Sequence, residues 1–248
     1  STPEDSFGVA PDAEWISAAV IDQGQTLNRT VSDILAAFQW AVDPDGNPAT
    51  IDDMPDVILN SWGIPGTALP SCDETFNHVI DNVEAAGIVT IFAAGNEGPA
   101  PMSLRLPAVR ATSPLNTFAV GAIDDATNTI APFSSRGPSS CDTSAKKPEV
   151  VAPGILITSS FKGGIYRTMS GTSMAAPFIA GMVAVPIVLP LEQYAKVHLT
   201  GDFNVFVAWA SIEEVLKYAM VAILIFWRSA VDEAPDYVID MITVALVF

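Results

Sequence analysis

The sequence predicts an α/β fold: a mostly parallel sheet with helices on both faces, three layers in all. Three observations lead there. Short apolar runs at Val57-Ile58-Leu59, Ile88 to Ala94 and Thr117 to Ile123 are continuous rather than alternating, as in strands buried on both faces. A helix-period segment separates the first two, giving the strand, helix, strand order of a parallel sheet with a crossover. Half of the 248 residues are apolar, enough for a sizeable core.

Taken in order, the first predicted element is an amphipathic helix over Ser32 to Val42. Ile34, Leu35, Phe38, Ala41 and Val42 fall on one face, and Ser32 is placed to cap it. A polar, Pro- and Gly-containing stretch from Asp43 to Pro55 leads to the first strand. The second helix is expected over Glu74 to Ala86, with Phe76, Val79, Ile80 and Val83 inward and Gly87 as its C-terminal stop. Pro132 to Pro153, rich in Ser, Pro and Gly, reads as a surface excursion. Ser170-Gly171-Thr172-Ser173 then opens a small-residue helix through Ala176, Ala180 and Gly181. Pro186 and Pro190 interrupt it, and an interior proline costs a helix about 3 kcal/mol. The organisation expected is therefore a domain over 1–183 and a separate segment over 184–248, in which Ser211–Trp227 and Tyr237–Val247 have helical character.

A formal charge of −17 argues against nucleic acid or an anionic membrane surface as a partner. The first residues, Ser1-Thr2-Pro3-Glu4-Asp5, are acidic and polar, unlike a signal peptide. The longest proline-free apolar run, Tyr218 to Trp227, is about half the roughly 20 residues of a membrane span. Cys72 and Cys141 lie far apart with no zinc-type spacing, which leaves one disulfide or two thiols open. Asn28-Arg29-Thr30 fits a glycosylation sequon.

Chemistry concentrates around Ser173. A serine hydroxyl used for acyl transfer needs exposure at a tight turn, a neighbouring base and donors for the developing oxyanion. In Gly171-Thr172-Ser173-Met174-Ala175-Ala176-Pro177 the glycine permits the turn, and the first helical turn offers free N–H groups and a positive dipole end. Taken alone, Ser173 is better read as a helix-capping serine in a Gly/Ala-rich turn, and the alternative for Asn96 is a turn asparagine before Gly98.

The heptapeptide resembles the nucleophile motif of the subtilisin-like serine protease family, and further blocks resemble that family in order and spacing. Ala93-Ala94-Gly95-Asn96 is similar to the strand end whose asparagine donates into the oxyanion hole. Val57 to Gly63, ending Asn60-Ser61-Trp62-Gly63, resembles the strand that lines the specificity pocket and pairs with the substrate backbone. Phe133 to Pro138 and Lys147 to Gly154 resemble two structural blocks, and Gly8-Val9-Ala10-Pro11 resembles the segment after the catalytic histidine. Trp62, with the helical stretch Asp33 to Trp40, is similar to the bacillopeptidase F branch.

The resemblance implies a three-layer subtilisin-like domain that lacks its N-terminal part. It implies peptide-bond hydrolysis through an acyl-enzyme on Ser173, with Asn96 in the oxyanion hole. The substrate-binding residues are expected to be Asn60, Ser61, Trp62, Gly63, Ala93, Ala94, Gly95 and Thr172. A polypeptide substrate, a secreted or extracellular location and no cofactor are implied. Structural calcium occurs in the family, but the scattered acidic residues here place no site.

The family's Asp and His blocks belong upstream of Gly8, so neither is expected in these residues. His78 lies roughly 200° around its helix from Phe76, on the solvent side. His198 falls in the segment without family resemblance. Asp22, in Val20-Ile21-Asp22-Gln23-Gly24, imitates a catalytic aspartate block but follows the wrong neighbour in family order. The chain alone is expected to be nearly inactive. A non-catalytic, protease-derived peptide-binding domain is the alternative.

Overall fold

The structure, a computed structural model, describes residues 8–10, 13–21, 26–47, 50, 53–111 and 118–184. Pro11, Asp22, Thr117, Pro186, Pro190 and His198 lie outside the described residues, as do the helices expected at 211–227 and 237–247.

Helix α1 (Leu27–Val42) begins a turn earlier than its apolar periodicity suggests. Thr26 is the N-cap, in extended backbone, and its hydroxyl accepts from Arg29 N at 3.4 Å. Ser32, expected to cap, instead donates its hydroxyl to Asn28 O one turn back, at 3.0 Å. Ile34, Phe38 and Ala41 are buried, at the expected i, i+4, i+7 spacing. Helix α2 (Asn77–Ala85) is shorter than predicted, because Asp73 closes a local turn by accepting from Thr75 N at 2.9 Å. Its stripe of Val79, Ile80 and Val83 is buried together with Phe76.

Strands β1 (Val57–Asn60), β2 (Val89–Ala93) and β3 (Phe118–Asp124) are parallel neighbours, with Asn60 opposite Phe92 and Ala93 opposite Val120. Strand β4 (Thr129–Ile130) folds back antiparallel on the end of β3. Strand β5 (Val150–Pro153) runs parallel to β3, from Val120↔Val150 to Ile123↔Pro153. The predicted parallel sheet is therefore present, with one short antiparallel strand. Burial on both faces holds for β2 and the body of β3. It fails at Leu59 in β1, which is 40% exposed among the described residues.

Alternation along β2 separates two layers. Phe92 and Ala94 join the core made by Ile34, Phe38, Phe76, Ile80 and Val83 of the α1–α2 side. Helix α3 (Thr172–Ala184) packs on β1, β2, β3 and β5 through buried Ala175, Ala176, Ile179 and Ala180. Its small side chains let it lie close to the sheet. Gly181 is in contact with Val9: a Cβ there would come within 2.9 Å of the valine Cβ, so the segment from Gly8 to Ala10 lies along α3.

Residues 132–153 are not a surface excursion. Ser134, Ser135, Ser139 and Lys147 are buried, and the segment ends as β5. Hydroxyls make this possible by satisfying backbone groups in the interior. Ser134 Oγ accepts from Ala122 N at 3.0 Å, and Ser139 Oγ donates to Val109 O at 2.7 Å. At Gly98 a Cβ would stand 2.0 Å from Ser134 O, so only glycine lets these backbones meet. An exposed hairpin, β6 (Ile157–Phe161) and β7 (Ile165–Met169), follows and delivers the chain to Ser170.

Cys72 and Cys141 form a disulfide, which decides between the two possibilities left open by the sequence. Both residues are exposed.

Candidate active site

Ser173 is the second residue of α3. The tight entry to the helix is held by Gly171 N donating to Gly154 O at 2.8 Å and by Leu156 N donating to Ser170 Oγ at 2.9 Å. Helical N–H groups in this first turn have no carbonyl one turn earlier, so the helix end is electropositive. Pro177, four residues on, lacks the N–H that would bond Ser173 O. The hydroxyl of Ser61 takes that role, donating to Ser173 O at 3.0 Å. In return Ser173 Oγ donates to Ser61 O at 2.9 Å. A proline inside the helix and a serine at the end of β1 thus form one reciprocal clasp.

Asn96 follows β2 at the same end of the sheet. Its Oδ1 accepts from Thr172 N at 2.9 Å and from Thr172 Oγ1 at 3.0 Å. Thr172 Oγ1 in turn accepts from Gly95 N at 3.2 Å. Two donors on Oδ1 fix the orientation of the amide, so Nδ2 is the edge turned away from Thr172. The Nδ2 atom lies beside Gly171, 3.5 Å from where a Cβ would stand there. Ser173 and Asn96 are brought together through Thr172, which is 1% exposed.

The other predicted substrate residues divide by whether their polar groups are free. Asn60 is 4% exposed; its Nδ2 donates to Ile58 O at 3.3 Å and its Oδ1 accepts from Trp62 Nε1 at 3.1 Å. Its side chain therefore braces β1 instead of facing a substrate. Trp62 was expected to line the pocket, but its ring packs edge-on to Phe92, centroids 5.7 Å apart, and beside Phe76 at 5.9 Å. With its N–H on Asn60, this half-buried indole is anchored against the core. Ala93, Ala94 and Gly95 are buried, and Ala94 O and Gly95 O accept from Arg105 N at 3.1 Å and Ser135 N at 3.0 Å. They can form a wall but offer these carbonyls to nothing further. Gly63 O accepts from Arg105 Nη1 at 3.4 Å.

Two residues at this end of the sheet escaped the sequence reading. Glu97 Oε2 accepts from Asn96 N at 2.9 Å, and Glu97 Oε1 accepts from Arg105 Nε at 2.8 Å and from Arg105 Nη2. The sequence signal was the charged residue directly after Asn96. Its partner, nine positions further on from Asn96, has no motif around it.

No imidazole or carboxylate bonds Ser173 among the described residues. His78 is exposed on α2, which packs against α1 and β2, as its helical phase predicts. Among the described residues no group of three or more His, Cys, Asp or Glu converges as a metal site, and no helix is long and apolar enough to cross a membrane. A cavity of about 220 Å³ bounded by Cys72, Phe76, Leu106, Arg110 and Cys141 is lined by neither Ser173 nor Asn96.

The arrangement can be set beside known proteins. Bacillopeptidase F of Bacillus subtilis (strain 168) is 38% identical over 186 residues, covering 72% of this chain and 12% of that protein. Serine protease AprX of the same strain is 35% identical over 202 residues, covering 71% and 42%. Subtilisin E, also from that strain, is 36% identical over 180 residues, covering 72% and 40%. The chain thus spans less than half the length of each of these three curated relatives. Among solved structures, the S41 psychrophilic protease superposes with a TM-score of 0.52 at 32% identity, covering 66% of this chain and 50% of the other. Sphericase gives 0.51 at 28% identity, covering 62% and 48%. Residues 1–189 match the Subtilase family. With that match, and with Ser173 and Asn96 joined through Thr172 at one end of a parallel sheet, the chain belongs to the subtilase family.

Proposed function

We propose that the chain carries the nucleophile half of a serine endopeptidase site. Ser173 attacks the scissile carbonyl, and Asn96 Nδ2 with the N–H groups of the first turn of α3 stabilises the oxyanion. The single observation supporting this most directly is Thr172 bonding Asn96 Oδ1 twice, which turns the amide donor outward. The segment Ser61 to Gly63 receives the substrate backbone on the acyl side.

The base and its orienting carboxylate come from outside the described residues. Ser173 Oγ donates to a carbonyl, Ser61 O, and a carbonyl cannot take up the proton that attack releases. Val9 against Gly181 brings the segment that resembles the post-histidine block alongside α3, which is consistent with a base supplied by residues preceding Gly8. The 248-residue chain alone is accordingly nearly inactive. In subtilisin, losing a triad member costs about 10⁴ to 10⁶ in kcat. The location we propose is extracellular, in keeping with the disulfide.

A fluorophosphonate probe tests this reading. Slow labelling at raised pH, where hydroxide stands in for the missing base, that Ser173→Ala abolishes supports an enzyme site. No labelling in a chain shown to be folded by circular dichroism, with peptide binding retained, favours the second reading: a protease-derived domain that binds peptides without cleaving them. That reading draws on the same bond from Ser173 to Ser61 O, which leaves the hydroxyl unactivated.

A further inference from the structure

We propose that Arg105, held by Glu97, is a specificity-determining residue that fills the acyl-side pocket and restricts it to peptides with a small residue, Gly, Ala or Ser, before the scissile bond. The inference rests on the proposed function and sharpens its substrate class.

Strands β1 and β2 are hydrogen-bonded neighbours, but beyond their ends the two chains part. Residues 104–106 lie between them. Arg105 N donates to Ala94 O at 3.1 Å on one side, while Leu106 N donates to Ile64 O at 3.0 Å and Ile64 N to Leu106 O at 2.8 Å on the other. The floor of the cleft between Ser61–Gly63 and Ala94–Asn96 is therefore this segment. The side chain of Arg105 lies over both glycines. A Cβ on Gly63 would stand 2.7 Å from Arg105 Cβ and 3.1 Å from its Cδ, and a Cβ on Gly95 would stand 3.0 Å from its Cγ. Both glycines are thus used up in admitting the arginine stem.

The head group is equally fixed. Arg105 Nε and Nη2 bond Glu97 Oε1, and Nη1 reaches Gly63 O at 3.4 Å. The other oxygen of Glu97 accepts from Asn96 N at 2.9 Å and lies 3.4 Å from Ser135 Oγ. Arg105 and Glu97 are 32% and 37% exposed, so the pair faces the open side of the cleft. A large apolar side chain entering here would have to displace the stem or cover a guanidinium–carboxylate pair and strip its water. A basic side chain would meet the guanidinium, and an acidic one would meet Glu97. A methyl or hydroxymethyl group needs none of this room.

Equilibrium binding separates this inference from the reading beneath it. Fluorescein-tagged tetrapeptides differing only in a final Ala, Phe or Glu are titrated into the full chain and followed by anisotropy. The parent chain is expected to prefer Ala over Phe by about tenfold or more. Arg105→Gly should erase or invert that order. Glu97→Gln keeps an acceptor for Asn96 N but removes the counter-charge, and should raise Glu-ended over Ala-ended binding by about tenfold. An Ala:Phe ratio in folded Arg105→Gly within about threefold of the parent overturns the proposal. If Arg105→Gly does not fold, an unchanged Glu:Ala ratio in Glu97→Gln overturns it alone. Binding of every peptide with an unchanged order sinks only the Arg105 assignment. Absence of binding to any form sinks the peptide groove itself, and this inference with it.

Discussion

Two polar clusters in this chain use hydrogen bonds to opposite ends. At the tips of β1 and β2, Thr172, Gly95, Asn96, Ser61 and Ser173 form a neutral network. It directs an amide edge outward and rests the Ser173 hydroxyl on a carbonyl. Elsewhere Arg110 pairs with Asp81 and Glu84, Thr90 Oγ1 donates to Glu84 at 2.6 Å, and Lys147 pairs with Glu149, whose other oxygen accepts from Ala119 N at 2.8 Å. Arg110 and Lys147 side chains are only 2% and 3% exposed. Burial holds the Lys147 ammonium below the ordinary lysine range and pushes the Glu149 carboxyl up, each opposed by the charge of the other. The charged cluster is closed on itself and serves the fold. The neutral one keeps weakly engaged groups at the surface, where chemistry or binding can use them.

The largest effect should come from opening the charged cluster. Glu149→Gln preserves an acceptor for Ala119 N but leaves Lys147 a buried cation without its counter-charge. The expected loss is about 3–5 kcal/mol in urea unfolding, with peptide affinity at temperatures below the transition unchanged. Equal losses in stability and peptide affinity would erase the distinction between the clusters.

Thr172→Val should come next, because it leaves Gly95 N and Asn96 Oδ1 without the hydroxyl. A stability loss of about 1–3 kcal/mol is expected. Fluorophosphonate labelling of Ser173 should slow by more than that loss explains, since only the backbone N–H of residue 172 then orients the Asn96 amide. Ser61→Ala is a smaller change of the same kind. It strips the donor that replaces the missing N–H of Pro177, and should cost about 1 kcal/mol while loosening Ser173. The readout is slower labelling, with Ser61→Thr restoring the parent rate.

Much of this was legible beforehand, and the misses share a cause. Apolar runs gave β1, β2 and β3, because a buried parallel strand must be apolar on both faces. That Ser173 and Asn96 meet at one end of the sheet was legible because several family-like blocks stand in order around them; taken alone, each is an ordinary capping or turn residue. The burial of Ser134, Ser135 and Ser139 was not, since polar residues enter a core only when a distant backbone group meets them. Ala122 N lies 12 positions from Ser134 and Val109 O lies 30 from Ser139. Arg105 was invisible for the same reason: its place depends on Gly63 and Gly95, which are glycines in sequence and a channel only in space.

The smallest effect expected is on the acid limb of stability. The hydroxyl of Ser144, and then its N–H, hold the Asp142 carboxyl below its ordinary value of 3.8, as Thr75 does for Asp73. A depressed carboxylate stabilises the fold above its unfolded value and loses that contribution as pH falls through the folded one. Asp142→Asn should therefore lower stability slightly at neutral pH and change it little well below pH 3.8, so that the profile loses part of its slope around that value. Melting temperatures across that range provide the check.

The Cys72–Cys141 bridge closes a loop with a sequence separation of 69 that contains Asn96 but neither Ser61 nor Ser173. A single cut between residues 73 and 140, for example in the exposed turn at 125–130, therefore cannot release a fragment. Asn96 stays tethered to Ser61 beyond the end of β1 and to the helix bearing Ser173. A nicked molecule would run as one band until reduced and as two afterwards, so a cut there leaves the parts of the proposed site joined.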